Sequence, residues 1–254
     1  VTSRRGASSH QFNPFIALAE HGAGETSGRV YAFNFVYSGS FLDEVEVDQS
    51  GNTRVGVGLG EENFAYTLSP GESFTSPEAV MLCTPDGLGD MSRRMHRFVR
   101  EAILPPDPYE RRPVVLNTWE ACYFNIDENT LLAFAKEGVR CKMDMLVMDD
   151  GWFGARKDDR AALGDWIPNR EKFPDGLQSF AARVKATGIR FGIWIEPEMI
   201  NPDSDLYRAH PDWCLSCRGR EGSLSRNQLV LDLSNPEVLR YLKHTFQAAF
   251  HGVP

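Results

Sequence analysis

The stretch that decides the fold is Met143-Asp-Met-Leu-Val-Met-Asp-Asp-Gly-Trp-Phe-Gly154, which continues to Gly164-Asp-Trp166. Its apolar run, 146–148, is typical of a strand that is covered on both faces of a parallel sheet. The run ends at two carboxylates, Asp149 and Asp150, followed by a glycine and a tryptophan. Because ligands bind at the carboxyl ends of parallel strands, this pattern predicts a binding floor at that point.

The same two carboxylates also fit a plain turn or a metal site. Asp-Asp-Gly is common in turns, and a carboxylate at this position could cap the next helix. Paired acids also suit magnesium or calcium. The stretch alone therefore supports a turn and a binding site equally.

Composition sets limits on the partners and the compartment. The 254 residues are enough for one large domain or two smaller ones. The net charge of −8 argues against a nucleic-acid backbone or an anionic membrane as the main partner. No apolar run is long enough to span a bilayer, and no signal peptide is visible after Val1.

The five cysteines are scattered and suit a reducing compartment, so we expect a cytoplasmic location. The spacing of Cys214 and Cys217 is that of metal and redox sites, but no second pair follows, which favours incidental thiols.

The first part of the chain is predicted to be rich in β-structure. Alternating or β-branched runs predict strands at 31–37, 42–47, 53–59, 64–68 and 79–83. Long connections between them favour two packed sheets. A helix at 89–102 follows, with its arginines on a solvated face. The proline-rich segment 104–109 ends this helix, so we predict two domains, 1–103 and 104–254.

From residue 113 onward the pattern alternates between strand and helix. Strands are predicted at 114–116, where the strand is expected to be buried, at 146–149 and at 190–195. Helices are predicted at 128–137, capped by Asp127 and ended by Gly138, and at 174–187 and 236–249. This alternation predicts a parallel sheet. The strand ends carry tryptophans and carboxylates: Trp119, Glu120, Asp149, Asp150, Trp152, Trp194, Glu196 and Glu198. No glycine-rich phosphate loop is present, whereas indoles and carboxylates suit the faces and hydroxyls of a sugar, which favours a (β/α)₈ barrel.

Several motifs match one known family. They are residues 6–15 (GASSHQFNPF), 90–98 (DMSRRMHRF), 114–121 (VVLNTWEA), 146–154 (LVMDDGWFG), 191–199 (FGIWIEPEM), 202–213 (PDSDLYRAHPDW) and 225–232 (SRNQLVLD). In this order they resemble the α-galactosidases of glycoside hydrolase family 36. The resemblance covers nearly the whole chain and implies an α/β fold, in which part of a β-supersandwich domain precedes a partial TIM (β/α)₈ barrel.

The resemblance also implies an activity and a set of site residues. Family members hydrolyse terminal α-D-galactosyl residues of the melibiose and raffinose type by a retaining double displacement. They use no metal or organic cofactor, and tetramers are common. By resemblance, Asp149 and Asp150 accept hydrogen bonds from the galactose 4- and 6-hydroxyls. Trp119 and Trp194 form walls of the sugar pocket, and Arg226 lies beside the sugar and the nucleophile.

The residues also leave plainer alternatives open. Core packing at the barrel mouth is the alternative for both tryptophans. Glu196 and Glu198 are interpreted as strand-end ion-pair partners, with Arg226 or Arg190 as the candidate cations, and not as catalytic groups.

One departure from the family pattern concerns catalysis. The family nucleophile lies in a Lys-Trp-Asp stretch, which occurs nowhere in this sequence, and the acid/base aspartate lies further on still. From residue 113 the chain supplies about half of the roughly 250 residues of a whole barrel. We therefore expect no catalytic residue within the chain and no activity of the chain alone. A non-catalytic galactoside-binding module and a raffinose-synthase-like transferase are the alternative functions.

Overall fold

The computed structural model describes residues 1–62, 64–106, 111–217, 219–220 and 222–253. The chain forms two compact units, Val1–Pro108 and Tyr109–Pro254. The predicted division at residue 104 stays a prediction, and residues 107–109 of its linker segment lie outside the described residues. No helix in the described part of the chain is long and apolar enough to cross a membrane.

The described part of the first unit contains two antiparallel sheets. Its strands are β1 (Thr2–Ser3), β2 (Phe15–Ala19), β3 (Val30–Phe35), β4 (Phe41–Val47), β5 (Thr53–Leu59) and β6 (Ala79–Thr84). One sheet has the order β1-β4-β5 and the other the order β2-β3-β6. The strands predicted from alternation at 31–37, 42–47, 53–59 and 79–83 are confirmed to within two residues.

Two segments of this unit differ from the prediction. The segment 64–68 is not a strand, because its alternating Phe64, Tyr66 and Leu68 pair with no neighbouring strand and are 46%, 56% and 51% exposed. The alternation instead presents the two rings to Phe74, whose centroid lies 6.0 Å from Phe64 and 4.9 Å from Tyr66. Strand β2 was not predicted, since its Phe-Ile-Ala-Leu-Ala run does not alternate and alanine is a poor strand former.

A helix completes the first unit. Helix α1 (Gly87–Phe98) starts two residues earlier than predicted and continues into π-helical backbone at Val99–Ile103. Gly87 adopts a φ of +82°, and a Cβ there would lie 2.5 Å from the Gly24 carbonyl oxygen, so the turn into the helix requires glycine. The arginine face is exposed to solvent, as predicted. The buried core of this unit includes Val30, Ala32, Met91 and Met95.

The second unit is built on three parallel strands. These are β7 (Val115–Asn117), β8 (Met145–Met148) and β9 (Arg190–Ile193), in the order β7-β8-β9. Helices α2 (Trp119–Cys122), α3 (Glu128–Arg140) and α4 (Gly176–Ala186) follow the first two strands. After β9 come β10 (Met199–Ile200), α5 (Asp205–Ala209), a 3₁₀ turn (Pro211–Trp213), β11 (Leu229–Val230) and α6 (Pro236–Ala249). Strands β10 and β11 pair antiparallel to each other.

A local sequence signal explains the start of α3 but not its end. Asp127 caps α3 as predicted, accepting a hydrogen bond of 2.9 Å from the backbone N–H of Thr130. Gly138 does not end that helix, which runs two residues further, to Arg140. A Cβ on Gly138 would lie 2.9 Å from Ile189 Cδ1, so the glycine serves close packing and not termination.

Burial varies across the parallel sheet. In β8, Leu146 and Met148 are completely buried, as predicted. In β7, by contrast, Val115 is 45% exposed, so the prediction of a buried strand at 114–116 is wrong. The reason is position: β7 is an edge strand of this three-stranded sheet and has one strand neighbour, β8.

Candidate functional site

The candidate site lies where the three parallel strands end. The side-chain amide of Asn117, the last residue of β7, donates a 2.7 Å hydrogen bond to Asp149 Oδ2. The hydroxyl of Thr118 accepts a 3.0 Å hydrogen bond from the backbone N–H of Asp149. On the other side, the backbone N–H of Trp194 donates to the Met148 carbonyl at 2.8 Å. The residues that follow β7, β8 and β9 are therefore tied together at one edge of the sheet.

Asp149 is held in place but remains accessible. Its Oδ1 accepts a 2.8 Å hydrogen bond from the backbone N–H of Asp150, and its Oδ2 accepts from Asn117. The residue is half-buried. A carboxylate has about four acceptor positions, so Asp149 keeps acceptor capacity for the hydroxyl of a ligand.

Asp150 has a different environment. Its side chain is 3% exposed and forms an ion pair with Arg156, whose side chain is fully buried. Arg156 Nε donates to Asp150 Oδ1 at 2.9 Å, and Nη2 donates to Oδ2 at 2.7 Å. The guanidinium also lies 5.3 Å from the ring centroid of Phe124 and 5.8 Å from that of Phe153. The buried arginine occupies two acceptor positions of Asp150 in a fixed geometry, and the predicted contact of Asp150 with a sugar hydroxyl stays a prediction.

The two predicted sugar-wall tryptophans are each half-buried. The Trp119 indole contacts Tyr123 and Phe124 edge to face, with both centroid distances 5.1 Å. The Trp194 indole lies 6.1 Å from that of Trp166 in the core. Each tryptophan therefore packs against the protein and still exposes part of its surface, which is compatible with both interpretations drawn from the sequence.

Arg226 lies near Glu196 at the third strand end. Arg226 Nη1 is 4.0 Å from Glu196 Oε1, and Gln228 Nε2 donates to Glu196 Oε2 at 3.3 Å. Burial raises the pKa of Glu196 above its ordinary value, the charges of Glu198 and Asp150 add to this effect, and Arg226 opposes it. The ion pair between Glu196 and Arg226 that the sequence suggested as an alternative is thus observed, although the Arg226 side chain is 60% exposed.

Lys172, which the sequence did not indicate as a site residue, stabilises the backbone next to Asp150. Lys172 Nζ donates to the carbonyl oxygens of Gly151 at 2.7 Å and Phe124 at 2.8 Å. Burial lowers the pKa of Lys172, and the negative charge of Asp150 opposes this. The lysine therefore links the turn after β8 to the turn that follows α2, the helix that begins at Trp119.

Three further polar residues of the site were also missed: Asn117, Arg156 and Asn201. Asn117 was available from the sequence, because it directly follows the strand predicted at 114–116. Arg156 lies in a run of charged residues, 156–160, that resembles a solvated loop. Nothing in the spacing of the sequence indicates that Arg156 is buried against Asp150.

The two cavities and the two cysteines described next contribute no further residue to the candidate site. Two cavities of the second unit have volumes of about 560 and 510 Å³, and neither is lined by Asp149 or Trp119. Cys214 is buried, Cys217 is exposed, and both are free thiols. Within the described ranges, no group of three or more His, Cys, Asp or Glu side chains could hold a metal ion.

The chain matches two family models along its length. Residues 73–254 match the model for Melibiase, and residues 1–69 match the model for the glycosyl hydrolase family 36 N-terminal domain. Alpha-galactosidase AgaA of Geobacillus stearothermophilus is 48% identical over 253 residues, which is 99% of this chain and 35% of the relative. The bifunctional alpha-galactosidase/sucrose kinase AgaSK of Mediterraneibacter gnavus is 49% identical over 237 residues, 93% of this chain and 25% of the relative. The chain thus spans between a quarter and about a third of the length of these relatives.

Solved structures agree with this assignment. The crystal structure of GH36 alpha-galactosidase AgaB from Geobacillus stearothermophilus superposes with a TM-score of 0.96 at 48% identity, over 100% of this chain and 35% of that one. Variants of AgaA, each 47% identical with a TM-score of 0.95 over 100% of this chain and 36% of theirs, were crystallised with stachyose and with raffinose. The expected fold, a partial barrel preceded by part of a supersandwich, is confirmed by these matches. The chain belongs to the Melibiase family, the α-galactosidases of glycoside hydrolase family 36, as its motifs indicated.

Proposed function

We propose that the protein hydrolyses terminal α-D-galactosyl residues of small oligosaccharides, of the melibiose and raffinose type, with retention at the anomeric carbon. The observation that carries the proposal is the half-buried Asp149, which is fixed by Asn117 and the Asp150 backbone and keeps unused acceptor capacity. A fixed carboxylate is a strong acceptor for a sugar hydroxyl. The crystallised relatives bound to raffinose and stachyose support the same class of substrate.

The proposal divides the work between binding and bond cleavage. Asp149 and Asp150 accept hydrogen bonds from the galactose hydroxyls, and Trp119 and Trp194 cover its apolar face. Arg226 places a positive charge beside the sugar. In a retaining glycosidase one carboxylate attacks the anomeric carbon and another protonates the leaving oxygen, then activates water. By resemblance to the family, neither of these two aspartates is among the 254 residues, so these residues bind and orient the galactosyl group.

A pair of assays tests this proposal. The product of the complete reading frame that carries this sequence should hydrolyse p-nitrophenyl α-galactoside and melibiose, and should leave the matching α-glucoside and β-galactoside uncut. The 254-residue chain, purified alone, should hydrolyse none of them. Absence of α-galactoside hydrolysis by the complete product would refute the proposal. Turnover by the 254-residue chain that depends on Asp149 would overturn the division of roles.

The proposal extends to the oligomeric state and the cellular location of the protein. The resemblance implies a homotetramer, and the cysteine usage favours a cytoplasmic location. Light scattering on the complete product measures the assembly, and a mass other than four subunits would contradict it. Fractionation of cells expressing the complete product tests the location.

A further inference from the structure

Two of the predicted sugar-binding residues, Asp150 and Arg226, are connected through a buried asparagine. Arg156, which binds Asp150, also uses Nη1 to donate to Asn201 Oδ1 at 2.8 Å. Asn201 Nδ2 in turn donates to the carbonyl oxygen of Asn227 at 2.8 Å. Asn227 is the chain neighbour of Arg226. A continuous series of hydrogen bonds therefore joins the end of β8 to the segment before β11.

Asn201 is fully buried, and its side-chain groups are all paired. Its Oδ1 accepts a second hydrogen bond from the Leu163 backbone N–H at 3.0 Å. Its Nδ2 donates a second hydrogen bond to the Asp159 carbonyl at 3.0 Å. The amide thus makes two donor and two acceptor contacts, the full capacity of an asparagine side chain. A buried amide that is satisfied on all sides has one orientation, so it fixes the groups around it.

The turn that carries Arg226 needs such support. Ser225 and Gln228 exchange backbone hydrogen bonds of 3.1 and 2.9 Å, which makes Arg226 and Asn227 a two-residue hairpin loop. Both loop residues have positive φ, 51° and 61°. This is the type I′ pattern, which favours Asn-Gly and disfavours arginine at the first position. The turn adopts a conformation that Arg226 does not itself favour, and Asn201 contacts the backbone of that turn.

We propose that Asn201 is a positioning residue for substrate binding, which holds the Arg226 turn and couples it to the Asp150–Arg156 ion pair. The inference rests on the proposed function, because it assigns to Asn201 an effect that acts through Arg226 on the galactosyl group. Asn201 itself contacts no ligand in this scheme. Its loss moves the guanidinium of Arg226 away from the sugar while the remaining floor stays in place.

The substitution Asn201→Asp removes the contact to the turn, together with the hydrogen bond to the Asp159 carbonyl. It is isosteric and keeps the acceptor for Arg156 and Leu163, but replaces the two N–H donors by an oxygen that faces carbonyl groups. We expect galactose affinity of the complete product, measured by calorimetry, to fall about 10-fold. A double-mutant cycle with Arg226→Lys should then be strongly non-additive, because both changes remove the same contact. In that double variant Asn201→Asp should add less than about a 2-fold further loss.

A rescue variant and a matched control separate positioning from general destabilisation. Asn227→Gly favours the type I′ turn without Asn201, so it should recover a measurable part of the affinity lost in Asn201→Asp. Asn169→Asp is the control, since the Asn169 side chain likewise accepts two N–H groups and donates to a carbonyl, and these hydrogen bonds go to Glu171, Lys172 and Gly154 and not to Arg156 or the turn. In a cycle with Arg226→Lys, this control should be additive.

The outcomes distinguish the inference from the proposed function. If the unmodified complete product neither binds galactose nor cleaves α-galactosides, the proposed function fails. If it does both, but Asn201→Asp and Arg226→Lys combine additively and Asn227→Gly rescues nothing, the positioning role is refuted. Where Asn201→Asp gives no cooperative thermal transition, Arg156→Lys tests the same link, because one ammonium group cannot contact Asp150 and Asn201 as the guanidinium does. The same non-additivity with Arg226→Lys is expected, and additive losses would overturn the proposal.

Discussion

Each compact unit buries the side chain of an aspartate, and the two have opposite surroundings. In the first unit, Asp43 on strand β4 is completely buried, and neither carboxylate oxygen has a hydrogen-bond partner. In the second unit, Asp150 is equally inaccessible but receives two side-chain N–H groups of Arg156. One carboxylate lies in a sheet without a hydrogen bond to either oxygen, and the other belongs to a satisfied polar network.

This difference shows that burial of a carboxylate does not by itself mark a site. Burial raises the pKa of Asp43 above its ordinary value, and the positive charge of the N-terminal ammonium opposes this effect without cancelling it. Beside Asp150, the guanidinium supplies a compensating charge and two directed donors, which fix the geometry of the carboxylate. The second arrangement fixes the orientation of the carboxylate, and its contact with a sugar hydroxyl stays a prediction.

The largest expected effect comes from removing the partner of Asp150. Arg156→Met leaves a buried carboxylate without its cation, which typically costs about 3–5 kcal/mol. We expect a large fall in the denaturant midpoint of the complete product and loss of galactose binding. The double variant Arg156→Met/Asp150→Leu should recover much of the stability, since no buried charge remains, without recovering galactose binding. Unchanged stability of Arg156→Met would mean that Asp150, like Asp43, does not depend on a cationic partner for its burial.

The next largest effect is expected at the accessible carboxylate. Asp149→Asn removes the charge but keeps the shape, and hydrogen bonds to a charged group contribute about 1.5–3 kcal/mol. Galactose affinity should therefore fall about 10- to 150-fold by calorimetry. Glu120→Gln is the matched control, since Glu120 is an exposed carboxylate close to the end of the neighbouring strand. The Glu120→Gln variant should bind galactose with unchanged affinity. Equal affinities for Asp149→Asn and the unmodified protein would remove Asp149 from the site.

A smaller and opposite effect is expected at Asp43. The pKa of Asp43 is higher in the folded protein than its ordinary value of 3.8, so ionisation of Asp43 opposes folding. This destabilisation begins as the pH rises above 3.8 and is complete once the pH exceeds the pKa of the folded state. Asp43→Asn should therefore stabilise the first unit by about 1 kcal/mol at pH 7. The gain should shrink as the pH falls toward 3.8, which denaturant titrations across that range would measure. A gain that is independent of pH, or a loss of stability at pH 7, would show that Asp43 is compensated after all.

The smallest effect is expected from an exposed ion pair. Arg54 and Glu46 face each other across β4 and β5 at 3.7 Å, with side chains 82% and 67% exposed. Solvent screening leaves little net attraction in such pairs. Arg54→Ala should leave the melting temperature unchanged within the error of calorimetry. A clear drop would mean that surface charges of the first unit contribute more than their exposure suggests.

Hydrophobic periodicity and the residues that start and end helices were sufficient to predict most of the secondary structure. The apolar run before Asp149 predicted β8, Asp127 predicted the start of α3, and the segment 236–249 was predicted as a helix with its observed bounds. These signals are local, because a cap or a stripe acts within one or two turns of the chain. The prediction was wrong where the outcome depended on how distant parts of the chain pack together. Gly138 packs against Ile189 instead of ending α3, and Val115 is exposed because its strand lies at a sheet edge.

For the site, the sequence by itself determined which side chains follow the parallel strands, because the carboxyl ends of such strands share one edge of the sheet. It named Asp149, Asp150, Trp119, Trp194 and Arg226 as candidates, and their roles in binding stay predictions. Only the tertiary structure decided that Asp150 is buried against Arg156 and that Asn201 connects this pair to the Arg226 turn. Those contacts join residues up to 45 positions apart. No local pattern encodes them, since the partner of a buried charge is set by the packing of loops in space and not by their spacing in the chain.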